Sequence, residues 1–251
     1  MARTSVHAIN SDWDYTVEKV PVFDENGKAI KGQFMKHYVM GGGSRYKARF
    51  EFKDTQVEIP KVGDTMGFRL DLDNSFDLWH RIKTMGGGLR LVCTNGMTTL
   101  DKSHGISCKH SNRFNTGNIT KAIKAALDGF YDLANDDNPF TLMASREVSQ
   151  EQGINILQSL TNKGDISEIR REAIARVWNG PDHQEDEGRN LYNLLNAVTQ
   201  YTTHEVAETN FAMSEGINNK VTKHLIKAAE DEKFLTYLWT PAESEAVTVT
   251  A

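Results

Sequence analysis

Four side chains with the chemistry of zinc ligands fall in one short stretch: Cys93, His104, Cys108 and His110. Thiolate sulfur and imidazole nitrogen are the donors that zinc takes in a tetrahedron. The spacing is poor for that purpose, because structural zinc sites offer closely spaced ligand pairs and a long gap follows Cys93. Cys108 and His110 alternate along a strand-like segment, and small buried cysteines with hydrogen-bonded histidines account for the same residues. Asp71 and Asp73 are a second metal option, since carboxylates pointing the same way on a strand suit Mg²⁺. Alternation on any polar strand face produces such pairs without a metal. The expectation is no metal and no cofactor.

Other chemistries find less support. Gly41-Gly42-Gly43-Ser44 and Gly86-Gly87-Gly88 lack the lysine and the strand-to-helix setting of a phosphate-binding loop. There is no Gly-x-Ser-x-Gly nucleophile motif, and Cys93 has no base nearby in the sequence to lower its pKa. The chain therefore reads as a binding protein rather than an enzyme.

A basic stripe is the better functional feature. Arg45, Lys47 and Arg49 alternate with Tyr46, Ala48 and Phe50, so the three cations share a strand face at intervals of about 7 Å. That interval is close to the spacing of phosphates on an extended single strand. Arg81, Lys83, Arg90 and Lys109 extend the track, and Tyr46 and Trp79 are candidates to stack bases. Cations beside aromatics on a sheet are the composition of a single-stranded nucleic-acid platform. The competing reading is a solvated face neutralised by Glu51 and Asp71. A second polar stripe, Asn193, Asn196, Gln200 and His204, recurs at helical steps and either lines a site or forms a polar helix contact.

The elements that must carry these residues change in period along the chain. Up to about Leu100 the pattern is strand-like, with strands expected at Phe34–Met40, Arg45–Phe52, Phe68–Leu72, Leu78–Thr84 and Leu89–Cys93. Gly86-Gly87-Gly88 is expected to join the last two as a hairpin turn. After Phe114 the period becomes helical, with Ile119, Ile123, Leu127, Phe130 and Ala134 on one face and Asn115 or Thr116 available as the cap. Ser149 with Gln152, and Asp165 with Glu168, have the form of capping boxes. Further helices are expected over Asn190–Glu208 and Asn218–Leu238. The fold class is α+β, a mostly antiparallel N-terminal sheet followed by a helical C-terminal half. The expected organisation is a strand-rich region over residues 1–113, a helical region over 114–240 packing on it, and a disordered tail over 241–251.

Composition narrows the class. With 39% hydrophobic and 25% charged residues the chain is of ordinary globular type. No apolar run approaches the length of a membrane span, and the N-terminus lacks an apolar signal core, so the expected compartment is the cytoplasm. Met1 to Asn135 carries 19 Lys/Arg against 15 Asp/Glu, or +4, and the remainder carries 10 against 19, or −9. A mildly basic half joined to an acidic half suggests surfaces with different partners, including a protein partner on the acidic half.

The run Asn74-Ser75-Phe76-Asp77, then Leu89-Arg90-Leu91-Val92-Cys93-Thr94-Asn95-Gly96-Met97, then His110, resembles the phage/plasmid-like proteins of domain of unknown function 932. Leu191 to His204, LYNLLNAVTQYTTH, is similar to that family's C-terminal helix. The resemblance covers roughly Asn74 to Glu208. Family members often read Asn-Ser-His-Asp-Gly at the first of these motifs, where Phe76 and Leu78 stand here. The resemblance implies residence on a phage, prophage or plasmid, with no established activity. Joined to the basic stripe, it leads to the expectation of a single-stranded DNA-binding or annealing protein of recombination or replication, acting as a homo-oligomer in the host cytoplasm. A metal-dependent enzyme on nucleic acid and a host-interaction protein are the alternatives.

Overall fold

The structure, a computed structural model, describes residues 22–23, 29–30, 32–75, 77, 81–90, 107–108, 116–180, 189–207 and 210–240. The expected tail at 241–251 and most of the charged loop after Trp178-Asn179-Gly180 lie outside these residues. The chain divides into two compact units, Met1–Asn138 and Pro139–Ala251.

The first unit is built on a five-stranded sheet of β3 (Gln33–Met40), β4 (Arg45–Glu58), β5 (Thr65–Ser75), β6 (Ile82–Arg90) and β7 (Ser107–Cys108). The strands lie in sequence order and every neighbouring pair is antiparallel. A separate ribbon pairs β1 (Val22–Phe23) with β2 (Ala29–Ile30). Gly41, Gly42 and Gly43 turn the chain from β3 to β4 with φ of 59°, 64° and 93°, a left-handed region that side chains resist. Ser44 Oγ lies 2.8 Å from the Gly41 carbonyl and closes that turn.

Strict alternation gives the sheet two unlike faces. Ala48, Phe50 and Phe52 of β4 and Phe68, Leu70 and Leu72 of β5 are buried on one of them. There they meet helix α1 (Thr116–Tyr131), whose Ile123, Ala126, Leu127 and Phe130 recur at helical spacing and are also buried. Phe68 joins the two layers, with ring centroids 4.8 Å from Phe52 and 5.2 Å from Phe130. Ala134 leaves the apolar stripe, because the chain tightens into a 3₁₀ turn at Asp132–Ala134 that buries Leu133 instead.

The glycine triplet corrects one expectation. Gly86, Gly87 and Gly88 form no turn; they sit inside β6, opposite Leu70, Arg69 and Phe68. A Cβ on Gly86 would stand 2.7 Å from Ala126 Cβ and 2.9 Å from the Ala126 carbonyl oxygen. The residue is glycine so that α1 can approach the sheet, a demand that local pattern does not reveal.

The second unit is helical: α2 (Pro139–Ala144), α3 (Gln150–Asn162), α4 (Glu168–Asn179), α5 (Leu191–Tyr201), α6 (Phe211–Glu230) and α7 (Glu232–Trp239). The Ser149–Gln152 capping box is present, with Ser149 N–H donating to Gln152 Oε1 at 2.8 Å and Gln152 N–H to Ser149 Oγ at 3.1 Å. The second capping box is not. Ser167 precedes α4, and Asp165 turns to α6, binding His224 at 3.0 Å and Lys220 at 3.4 Å. The single helix expected over Asn218–Leu238 is two, because Asp231 accepts from the N–H groups of Lys233 and Phe234 and starts α7 afresh. Trp178, fully buried, anchors α4 by donating from Nε1 to the Gln150 carbonyl at 3.2 Å. No helix among the described residues is long and apolar enough to cross a membrane.

Replacing Gly86 by Ala is expected to lower stability by about 1–3 kcal/mol, because the new methyl has no free volume. Gly216→Ala, in open space within α6, is expected to raise it by about 0.5–1 kcal/mol. Urea midpoints of the two variants check both signs.

Candidate nucleic-acid interface

The other face of the sheet is charged, and the strand register arranges it in rows. One row crosses all five strands: Tyr38, Lys47, Asp73, Lys83 and Ser107. The next holds Lys36, Arg49, Asp71 and Met85, and a third Gln33, Glu51, Arg69 and Gly87. Arg45 and Ser75 begin a fourth. Among the described residues these rows carry six cations, Lys36, Arg45, Lys47, Arg49, Arg69 and Lys83, against Glu51, Asp71 and Asp73. Directly opposed residues on one face lie close enough for their charges to interact.

Asp71 is the centre of this arrangement. Its carboxylate is only 2% exposed and takes a bidentate ion pair from Arg49, with Nε–Oδ1 3.0 Å and Nη2–Oδ2 3.1 Å. Arg69, itself 2% exposed, donates from Nη2 to the same Oδ2 at 3.3 Å. Burial by itself raises the pKa of such a carboxyl, but the charges of Arg69 and Arg49, the Arg49 hydrogen bonds and the charge of Lys47 outweigh it. They hold Asp71 well below the usual carboxylate range. A planar guanidinium matches a carboxylate fork for fork, which is why arginine rather than lysine makes these contacts.

The predicted stripe is therefore real as a face but uneven in access. Lys47 is 1% exposed and belongs to the interior. Arg49 is half-buried, held between Asp71 and the ring of Tyr38, 5.9 Å from its centroid. Arg45 reaches Asp77, with Nε–Oδ2 3.1 Å, beside Ser44 at 3.0 Å from the same oxygen. Lys36 is exposed and places its ammonium 5.1 Å over Tyr38. Lys83 is half-exposed between Asp73 and Ser107, and Arg81 is exposed just before β6.

Two expected members fall elsewhere. Tyr46 lies on the apolar side, where its ring stacks with His37 at 6.0 Å, so Tyr38 is the aromatic residue of the charged face. Arg90 stands opposite Met66, outside the rows that hold Lys47, Arg49 and Lys83. Trp79 and Lys109 lie outside the described residues, as do Cys93, His104 and His110. The backbone of Cys108 pairs with Ile82 in β7. No group of three metal-ligating side chains occurs among the described residues. Both oxygens of Asp71 are engaged by guanidinium groups, so the Asp71–Asp73 pair is not an open metal site. Arg69 escaped the sequence reading, although its alternation with Asp71 and Asp73 on β5 was the available signal.

The amide stripe of the helical unit also divides. Asn193 and Asn196 are each 2% exposed, whereas Gln200 and His204 are exposed. Gln200 still lies in α5, and His204 falls in the π-helical turn that follows it, Thr202–Val206, closed by Ala207 N–H donating to the Thr202 carbonyl at 2.8 Å. Thr202 Oγ1 donates to Asn218 Oδ1 at 2.6 Å and Ser214 Oγ to the Thr202 carbonyl at 3.0 Å. Thr202, Ser214 and Asn218 thus form a polar contact between the π turn and α6.

Fold and face together define an α+β protein whose antiparallel sheet has one side sealed by a helix and the other given to charge. The chain belongs to the family described as domain of unknown function DUF932, whose model matches residues 28–244. No curated protein and no solved structure matches it.

Replacing Asp71 by Asn leaves Arg69 and Lys47 buried without their central anion and is expected to cost about 3–5 kcal/mol of stability. Because the folded pKa of Asp71 is depressed, its contribution is complete above the unfolded value of about 3.9 and declines as pH falls towards the folded one. Urea unfolding of wild type and Asp71→Asn at pH 7 and pH 3 should therefore show a gap that narrows in acid.

Proposed function

We propose that this protein binds single-stranded nucleic acid, most simply single-stranded DNA in recombination or replication, without hydrolysing a nucleotide. One observation carries this reading: the charged side of the sheet sets six cations against three acids in register, and Lys36, Arg45, Arg49 and Lys83 among them keep access to solvent. An excess of fixed positive charge on a flat, partly aromatic surface attracts the phosphate backbone. Lys36, Arg45, Arg49 and Lys83, which retain access to solvent, are the phosphate contacts. Tyr38, already flanked by Lys36 and Arg49, is the ring against which a base stacks.

The buried members have a different part. Lys47, Arg69 and Asp71 fix the strand rows, and Asp71 holds the Arg49 guanidinium in one orientation. A preorganised cation loses less freedom on binding than a mobile one. Family membership is compatible with this reading through the expected phage or plasmid setting, and a homo-oligomer is the assembly that annealing would require.

Binding to a fluorescent single-stranded oligonucleotide should weaken with salt, with a log–log slope of about −3 for four phosphate contacts. Lys36→Glu with Lys83→Glu is expected to reduce affinity about tenfold or more at low salt and to shrink the slope by about 1.4. Absence of binding at low salt, or a double variant indistinguishable from wild type, would sink this reading. Arg49 is unsuitable as a first variant because its loss also breaks the pair with Asp71.

A further inference from the structure

The helical unit carries a second surface with the same chemistry, made of residues that the sheet does not use. Lys220, Lys223, His224 and Lys227 recur at three- and four-residue steps on α6 and so share a face. The three lysines are exposed and His224 is half-buried. Phe234 and Tyr237, three apart on α7, lie against them. The His224 imidazole is 6.1 Å from the Phe234 ring and 15° from parallel to it. The Lys227 ammonium stands 4.2 Å over the same ring. Phe234 and Tyr237 are 6.1 Å apart, and Lys163, at the end of α3, stands 4.8 Å over Tyr237. The result is a continuous strip of rings and cations.

Asp165 is the anchor of this strip. It is mostly buried and holds both His224 Nε2 and Lys220 Nζ. The strip ends at an acidic corner, where Glu230, Asp231 and Glu232 line a shallow cleft with Lys233 and Thr236. Lys163, Lys220, Lys223 and Lys227 thus stand against Asp165 along the strip, with Glu230, Asp231 and Glu232 at its end, within a half of the chain that carries 10 Lys/Arg and 19 Asp/Glu. Four of the five lysines of that half gather here, around two rings, while its arginines lie elsewhere in the sequence. Tyr237 is 60% exposed although it is large and partly apolar.

A lysine cluster alone would fit any anion. Interleaved rings select a ligand that offers flat π faces between its negative charges, which describes unpaired bases along a phosphate backbone. A duplex keeps its bases stacked on each other and does not present those faces. An acidic peptide would satisfy the lysines and leave the rings unused. We propose that Lys163, Lys220, Lys223, Lys227, Phe234 and Tyr237 form a second contact for single-stranded nucleic acid, with a base on Tyr237 and phosphates on the lysines. This rests on the proposed nucleic-acid function but not on the sheet as its site.

The test uses the full chain and an oligonucleotide of about 20 nucleotides carrying 5-iododeoxyuridine, long enough for the roughly 4–16-nucleotide footprint of common single-strand binders. Photocrosslinks should map to the peptide holding Phe234 and Tyr237. Tyr237→Ala should weaken binding about 5- to 30-fold, while Tyr237→Phe, which keeps the ring, stays within about twofold of wild type. Lys223→Glu with Lys227→Glu should lower both the affinity and the salt slope. Unchanged binding in Tyr237→Ala, with crosslinks confined to the first unit, overturns this proposal and leaves the sheet as the interface. Loss of binding in the strip variants, with Lys36→Glu and Lys83→Glu without effect, supports it and removes the sheet. A wild-type protein that binds no oligonucleotide overturns both.

Discussion

A carboxylate removed from water among three cations governs the sheet. Asp71 is placed in the middle strand, and its ion pairs reach a residue on the neighbouring strand and another two positions along its own. Desolvating an ion is expensive, and only close, well-aligned partners offset that cost. The two arginines supply such alignment, so the relative position of β4 and β5 is fixed on the charged side as firmly as aromatic packing fixes it on the other. Without the anion, Arg49 and Arg69 would lose their shared partner and the face would hold six cations against Glu51 and Asp73 alone. The charged surface is thus a property of the fold and cannot be reshaped one residue at a time.

The helical unit solves a related problem with hydroxyls and amides. Asn196, Thr199, Thr202, Ser214 and Asn218 are buried, and several of them bond to carbonyls or amides of the same neighbourhood. The π turn at Thr202–Val206 shifts the phase of the helix, so residues before and after it face different surroundings. The stripe that runs straight on paper is interior at Asn193 and Asn196 and surface at Gln200 and His204. On α6 helical spacing keeps the exposed Lys220, Lys223 and Lys227 apart from the buried Ser214 and Asn218.

Short-range features were legible in the residues alone. The alternation from Arg45 to Phe52 places each side chain on its observed face, and the Ser149–Gln152 capping box sits where its spacing puts it. Long-range partners were not. Asp165 has the form of a cap, yet two residues more than fifty positions away claim it. Asp231 interrupts an unbroken apolar periodicity because its side chain can cap, which periodicity does not register. Lys47 alternates with its neighbours like any surface cation, and nothing local distinguishes it from Arg45. Its burial depends on how the rows close around Asp71 and Asp73. For the same reason the face was readable, while the split between gripping and framework residues was not.

Gly86 has a consequence for the side of the sheet it does not occupy. Glycine-rich strands specify their pairing weakly, and sliding by one position sends every side chain to the opposite side. In β6 such a slip would bring Met85 or Gly87 beneath Ala126 and carry Lys83 from the charged rows into the apolar layer. Only a position without a side chain fits against the Ala126 backbone, and Met85 cannot take that place. The helix contact therefore bars the slip that would bring Met85 beneath Ala126, although not the one that would bring Gly87 there, and in that direction the arrangement of charge on one surface is guarded by a missing methyl on the other.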